Sequence, residues 1–311
     1  MHFFDADAID RALSFPLLID ALADAHRRAP IMIDDTMMGD EHGSYFIRNA
    51  VDPGRFVGSK LITSTPGNPY RDPPLPAVQA VCVIFDAADG RPLAVLDGTI
   101  LTQWRTAADS GLGARLLARD DARTLLIVGA GAMARPLARA HRTARPSIER
   151  ILVWNRTADR AAEVVADLVA EGLPAEVATG PLGESVRVAD VVSTCTRAVE
   201  PVVLGADLRP GTHVDLVGAF THGTREIDDE AMARGRIFVD RREAAFDIGD
   251  ILIPIANGAI TADDVLGDLH DLVAGRVGRR SADDITIYEN GGGGHLDLIT
   301  AETILRASGV L

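Results

Sequence analysis

The stretch Thr124-Leu125-Leu126-Ile127-Val128-Gly129-Ala130-Gly131-Ala132-Met133-Ala134-Arg135-Pro136-Leu137-Ala138-Arg139-Ala140 decides the fold. Four consecutive apolar residues, Leu125 to Val128, suit a strand buried on both faces, and helical spacing of apolar residues begins directly after the glycines. The reading is a strand, a tight turn and a helix start. In the pattern Gly-x-Gly-x-x-Ala, Gly129 supplies a residue free of Cβ restriction, Gly131 permits close backbone approach, and Ala134 is small enough for helix-on-strand packing. Exposed N–H groups at the helix N-terminus would then face a pyrophosphate, with Ala132 and Met133 among the candidate cofactor contacts.

A glycine pattern alone also serves tight turns that bind nothing, so its surroundings matter. A second strand, Arg150-Ile151-Leu152-Val153-Trp154-Asn155-Arg156-Thr157, follows at the βαβ distance and ends where a ribose-reading group belongs. An acidic residue there favours NAD(H). This chain instead offers Asn155, Arg156 and Thr157, an amide, a guanidinium and a hydroxyl suited to a 2′-phosphate. The expectation is therefore NADP(H) in preference to NAD(H), with Arg156 as an ordinary solvated helix-start residue the alternative.

Length and charge narrow the class. A chain of 311 residues has a length prior of about two domains, and 47% hydrophobic residues suffice for large cores. A net charge of −14 argues against nucleic acid or an anionic membrane as partner, though local basic residues can still hold an anionic substrate. Cys82 and Cys195 lie in apolar, strand-like runs and read as free thiols of a reducing compartment. No apolar run approaches the ~20 residues of a membrane span and the first residues lack a basic n-region, so a cytoplasmic location is expected. Histidine and cysteine spacing suggests no metal site.

Ahead of the glycine turn, Ser14 to Arg28 reads as a helix capped by Ser14, with Pro16 in its first turn. Strands are expected over Ser44–Arg48 and Arg55–Thr63, joined by Asp52-Pro53-Gly54. Thr65 to Pro76 holds five prolines and reads as an ordered loop. Val78–Phe85 and Arg91–Leu96 form a hairpin. A long helix is expected from Thr102 to about Arg119, with Arg105 in its first turn, where the macrodipole disfavours a cation unless an anion binds there. Either a carboxylate clamp or a surface arginine packed over the neighbouring helix fits this position.

Beyond the turn, helix and strand alternate: a helix over Asp159–Leu168, then strands over Ala189–Thr196, Thr212–Ala219 and Arg236–Asp240. This order gives an α/β fold, a Rossmann doubly wound parallel sheet with its ligand outside the strand C-termini. Thr194, Cys195, Thr196, Val217, Gly218 and Thr221 should border the nicotinamide. In the tail, Asn290 and four glycines, Gly291 to Gly294, lie between a β-rich run and a short helix, and the glycines read as a close backbone approach to a ligand or to the other domain. Asn290, Gly292 and Thr106 complete the candidate cofactor contacts. His213 reads as a structural histidine, and His222 as a loop residue.

Several of these stretches together resemble the ornithine cyclodeaminase/mu-crystallin family: Gly58-Ser59-Lys60, Pro66-Gly67-Asn68, Gly90-Arg91-Pro92-Leu93-Ala94-Val95-Leu96-Asp97-Gly98, Leu101-Thr102-Gln103-Trp104-Arg105-Thr106-Ala107-Ala108, the glycine turn, Arg225-Glu226-Ile227-Asp228 and Gly249-Asp250. The resemblance covers the chain from about Arg55 onward. It implies a homodimer with an α+β substrate and dimerisation domain built from residues 1–115 and 291–311, and a dinucleotide domain over 116–290. It also implies that Lys60 and Arg105 flank the substrate as its catalytic pair, Arg105 holding the α-carboxylate, with Asn68 nearby.

The departures from the family pattern carry information. Cyclodeaminases have an acid just after the strand equivalent to Leu216–Ala219; this chain has Phe220-Thr221, which makes cyclodeamination of ornithine unfavourable and resembles the family's ketimine reductases and amino-acid dehydrogenases. The tail's usual Phe-Lys-Ser is Tyr288-Glu289-Asn290, and His295 is new. Ile47-Arg48 stands for a Met-Pro pair, so Arg48 is either a second anionic contact, as a dicarboxylate such as iminosuccinate would need, or a salt-bridged structural residue. The expected activity is reduction of an imino acid to the L-amino acid, with Lys60, His295 or a water held by Thr221 as proton donor. Ornithine cyclodeaminase, amino-acid dehydrogenase and a non-catalytic NADPH-dependent binding protein are the alternatives.

Overall fold

The computed structural model describes residues 1–40, 43–219 and 221–311, so Phe220 of the Phe220-Thr221 pair lies outside the described residues. The chain divides into two compact units, Met1–Arg105 with Gly293–Leu311, and Thr106–Gly292. The first boundary falls inside a continuous helix rather than after residue 115, and the second falls within the glycine run, after residue 292 rather than 290.

The first unit runs β1 (His2–Phe4), α1 (Ala6–Ala12), α2 (Phe15–His26), β2 (Met32–Asp40), β3 (Gly43–Asp52), β4 (Phe56–Ser64), β5 (Val78–Asp86), β6 (Pro92–Asp97) and the start of α3 (Gly98–Leu117). Its sheet has the order β1-β6-β5-β4-β3-β2, antiparallel except for the parallel β1–β6 pair. β1, α1 and β2 were not legible in the sequence: β2 is almost wholly exposed, so it lacks the alternation that marks a strand. Ser14 precedes α2 but makes no side-chain capping bond. The proline-rich segment is an ordered loop, closed by Thr65 N–H on the Ala77 carbonyl (2.7 Å) and by Asn68 Nδ2 on the Pro76 carbonyl (2.9 Å).

Helix α3 starts one turn before the expected Thr102. The Asp97 carboxylate accepts the N–H groups of Thr99 (2.8 Å) and Ile100 (3.0 Å), satisfying donors that a helix start leaves open. Gly98 is required because a Cβ there would stand 2.7 Å from the Ala80 carbonyl carbon. Arg105 consequently lies about two turns into the helix, and the macrodipole argument for an anion at Arg105 does not apply.

The second unit contains β7 (Thr124–Val128), α4 (Ala134–Ala144), β8 (Arg150–Trp154), α5 (Ala158–Ala170), β9 (Ala175–Val177), α6 (Leu182–Val186), β10 (Val191–Thr194), β11 (His213–Leu216), α7 (Asp229–Arg234), β12 (Arg236–Val239), α8 (Arg242–Ala245), α9 (Gly249–Ala256), β13 (Val265–Gly267), α10 (Leu269–Val273) and β14 (Thr286–Glu289); α11 (Gly294–Ala307) belongs to the first unit. All eight strands are parallel, in the order β13-β12-β14-β11-β10-β7-β8-β9. The chain reverses direction across the sheet between β7 and β10, the switch point where such folds bind ligands. Leu125 to Val128 are fully buried, as strands covered on both faces require. His213 is buried against Thr286 Oγ1 at 3.0 Å, a structural role, and burial lowers its pKa well below the usual imidazole value.

Candidate active site

Strand register builds the polar centre of the first unit. Asp35 on β2 pairs with Arg48 on β3, Arg48 with Lys60 on β4, and Lys60 with Cys82 on β5, so all four share one row across the sheet. Helix α11 packs on β3 and β4 and brings Asp297 to this row. Lys60 Nζ donates to Asp297 Oδ1 at 2.6 Å and to Thr102 Oγ1 at 3.0 Å, and Arg105 Nε lies 3.3 Å from the same Asp297 oxygen. Two buried cations thus share one buried carboxylate. Asp297 Oδ2, equally buried, has no hydrogen-bond partner among the described residues.

Burial disfavours the Lys60 ammonium and lowers its pKa to about 8; Asp297 opposes this, while Arg105 and Arg48 add to it. Lys60 makes two of the three hydrogen bonds an ammonium can donate. Arg48 sits over the Phe46 ring and 3.6 Å from Asp35, the ion-paired arrangement. Asn68 is buried and donates an amide N–H to the Pro76 carbonyl of the proline-rich loop. His295, in the first turn of α11, is buried edge-on to His26 with ring centroids 5.5 Å apart.

In the second unit the glycine turn has the expected shape. Gly129 has φ +117°, open to glycine and strained for other residues, and a Cβ there would meet Cys195 at 3.0 Å. At Gly131, by contrast, a Cβ would find no protein atom within 4 Å, so the space over that glycine is open. Met133 precedes the first residue of α4, and Ala132 is exposed beside it. An anionic dinucleotide fits these features: open space over Gly131 and a helix start facing it. At the end of β8, Asn155 Nδ2 donates to the Thr157 carbonyl at 2.9 Å, which commits it to the turn, while Arg156 and Thr157 are exposed.

The strand ends beside the switch point are joined by a residue to which the sequence assigned no role. The buried Glu226 carboxylate accepts from Thr196 N (2.6 Å) and Oγ1 (2.7 Å) through Oε1, and from Gly218 N (2.6 Å), Thr194 Oγ1 (2.7 Å) and Val217 N (3.3 Å) through Oε2. Thr194, Thr196, Val217 and Gly218 are therefore brought together, with Cys195 between them. Behind Glu226, Asp250 Oδ1 accepts the N–H groups of Glu226 (2.9 Å) and Ile227 (3.1 Å). Burial and the Glu226 charge push Asp250 up to about 7.

The remaining candidates are scattered. Asn290 donates to the Thr106 carbonyl (2.9 Å) and to Ser110 Oγ (2.8 Å), so its amide nitrogen is spent on α3, while its Oδ1 has no partner among the described residues. Gly292 has φ +69° and donates its N–H to Asp240. The glycine run is close-packed: a Cβ at Gly291 would lie 2.4 Å from Ile248 Cδ1, and one at Gly294 would lie 2.7 Å from the Asn49 carbonyl oxygen. Thr221 is exposed and bonded to Thr224, and His222 is exposed, 4.0 Å from Asp247. Among the described residues no three His, Cys, Asp or Glu side chains are placed to hold a metal, and no helix is long and apolar enough to cross a membrane. Asp297 was missed because the signal is faint: it is one of two acids, with Glu302, on an apolar helix that is buried along most of its length.

Residues 35–307 match the sequence profile of the ornithine cyclodeaminase/mu-crystallin family. The chain belongs to that family. Among family members it is 46% identical over 303 residues to a Delta(1)-pyrroline-2-carboxylate reductase of Paracoccus denitrificans, covering 96% of this chain and 94% of the relative. Its fold is similar to that of the Thermococcus litoralis Delta(1)-pyrroline-2-carboxylate reductase in complex with NADH and L-proline (TM-score 0.93, 27% identity, 99% of this chain and 97% of that one). It is also similar to the iminosuccinate reductase of Paracoccus denitrificans in complex with NAD+ (TM-score 0.88, 27% identity, 100% and 97%).

Proposed function

We propose that this member of the family is an NAD(P)H-dependent reductase of an α-imino acid, acting on a cyclic ketimine such as 1-pyrroline-2-carboxylate to give the L-amino acid. The observation that carries the reading is the pair formed by Arg105 and Asp297. Arg105 meets only the edge of Asp297, without hydrogen-bond geometry, and Asp297 keeps a buried oxygen unpartnered among the described residues. A guanidinium with donors to spare beside a carboxylate with an acceptor to spare suits a ligand carrying both a carboxylate and an N–H, as an imino or amino acid does. The similarity to reductases of this substrate class supports the same reading.

In this reading Arg105 binds the substrate carboxylate and Asp297 Oδ2 accepts from the protonated imine nitrogen, which keeps the C=N carbon electrophilic. Lys60, largely an ammonium at neutral pH with its pKa at about 8, supplies the proton that the nitrogen carries when the new C–H bond forms. His295 and Thr221 are weaker donors: one is packed against His26 and the other bonded to Thr224. Gly129, Gly131, Ala132 and Met133 would hold the dinucleotide pyrophosphate, and Thr194 to Thr196, Val217, Gly218 and the free Asn290 Oδ1 would line the nicotinamide side. A reduced nicotinamide, when bound, would supply the hydride that such a reduction needs.

The exposed Arg156 and Thr157 at the end of β8, with no acidic residue at that strand end, support a preference for NADP(H). The exposed methionines of the edge strand β2, Met37 at 72% and Met38 at 54%, support a homodimer formed through that edge. The test is oxidation of NADPH and NADH with 1-pyrroline-2-carboxylate, 1-piperideine-2-carboxylate, pyruvate plus ammonia or methylamine, and oxaloacetate plus ammonia. The cyclic imines should be reduced fastest. No oxidation with any of them, with dinucleotide binding intact, rejects the reductase in favour of a binding protein, and oxaloacetate plus ammonia as best substrate transfers the reading to a dicarboxylate held also by Arg48.

A further inference from the structure

We infer that Glu226 is a positioning residue that sets the nicotinamide side of the dinucleotide site by tying the segment after β10 to the segment after β11. The inference rests on the proposed dinucleotide role of these segments. β10 and β11 are neighbours in the sheet, and β10 also pairs with β7, which carries the glycine turn. A carboxylate from farther along the chain, that of Glu226, joins the two segments through both of its oxygens. Its two oxygens receive five donors, three of them backbone N–H groups: Thr196 on one oxygen, Gly218 and Val217 on the other. Gly218 is locked in place as well, since a Cβ there would lie 2.0 Å from the Thr196 carbonyl oxygen and 2.7 Å from Glu226 Cδ.

The donor set dictates the chemistry. Hydroxyls such as those of Thr194 and Thr196 can turn and accept, but a backbone N–H cannot. Each Glu226 oxygen faces at least one N–H, so both must be acceptors, as only the carboxylate provides. An amide in its place must point N–H at N–H toward either Thr196 or Gly218, pushing one strand end away from the other. Asp250 holds the Glu226 backbone from behind, which fixes where the carboxylate starts.

The experiment compares wild type with Glu226→Gln by calorimetric titration of NADH and of ADP-ribose, which contains the pyrophosphate and adenosine but no nicotinamide. Leaving a buried donor unsatisfied predicts weakening of NADH binding by about tenfold or more, with ADP-ribose affinity retained and the KM for NADH raised by a larger factor than that for the imine. Glu226→Asp, with its charge on a shorter arm, is the second variant should the amide fail to fold, and it should show the same selective loss. Equal weakening of both ligands, or no change in either, in whichever variant folds, overturns the inference. A wild type that binds neither ligand instead overturns the dinucleotide reading beneath it.

Discussion

Replacing Asp297 by asparagine tests the proton donor directly. The substitution removes the negative charge 2.6 Å from Lys60 Nζ while keeping the shape of the side chain. Of the influences on Lys60, Asp297 is the largest that favours the ammonium; burial, Arg105 and Arg48 disfavour it. Unit charges at this separation attract by about 6 kcal/mol at an effective dielectric near 20. At 1.36 kcal/mol per pH unit that bounds the fall in the Lys60 pKa at about four units. Side-chain relaxation and water entry reduce the expected fall to about two.

The assay is kcat/KM for the imine between about pH 6 and 10, because this quantity reports groups of the free enzyme. With Lys60 as the proposed donor its protonated form is the active one, so activity should fall as pH rises through its pKa, near 8 in the wild type. In Asp297→Asn the falling limb should move to lower pH by at least one unit, while the titration of the imine itself is common to both proteins and cancels. An unmoved limb refutes Lys60 as the donor. The same pKa has a stability consequence of defined sign. A lysine that falls from 10.5 to about 8 on folding penalises the fold fully below pH 8 and is relieved as pH rises toward 10.5, so thermal stability from this group should increase over that window.

Three further outcomes are expected. Arg156→Asp should shift the ratio of NADPH to NADH efficiency toward NADH by about tenfold or more through charge repulsion with a 2′-phosphate; an unchanged ratio would mean the phosphate is read elsewhere. Gly131→Val fills space that no protein atom occupies, so Tm should hold while NADH binding is lost, and retained binding in titration would remove the glycine turn from the site. Met37→Glu together with Met38→Glu should convert the proposed dimer to monomer in sedimentation analysis with the far-UV spectrum unchanged; a persistent dimer would place the interface away from β2.

The local signals were strong where one segment contains the whole explanation. The buried run Leu125–Val128 followed by Gly129 and Gly131 specifies strand, turn and helix by side-chain size and backbone freedom alone, and the parallel sheet follows from the alternation after it. Lys60 and Arg105 were named from their motifs through the family resemblance; the glycine run was expected to approach a ligand or the other domain, whereas Gly291 packs on Ile248 and Gly294 on Asn49, each within its own unit. Reading failed where meaning depends on a partner distant in sequence. Strand β2 shows no pattern because its outer edge is exposed. The start of α3 moved one turn because Asp97 caps it and Ala80 leaves no room for a side chain at Gly98.

Asp297 acquires its role only when α11 brings it across 237 residues to Lys60, and Glu226 only when β10 and β11 lie side by side and present their N–H groups to it. The sequence by itself determined the scaffold, which follows from periodicity and residue type, while the resemblance to a family pointed to the cations Lys60 and Arg105. Tertiary structure alone decided which buried carboxylates answer those cations and backbone donors, because a buried charge is defined by what surrounds it and not by its neighbours along the chain.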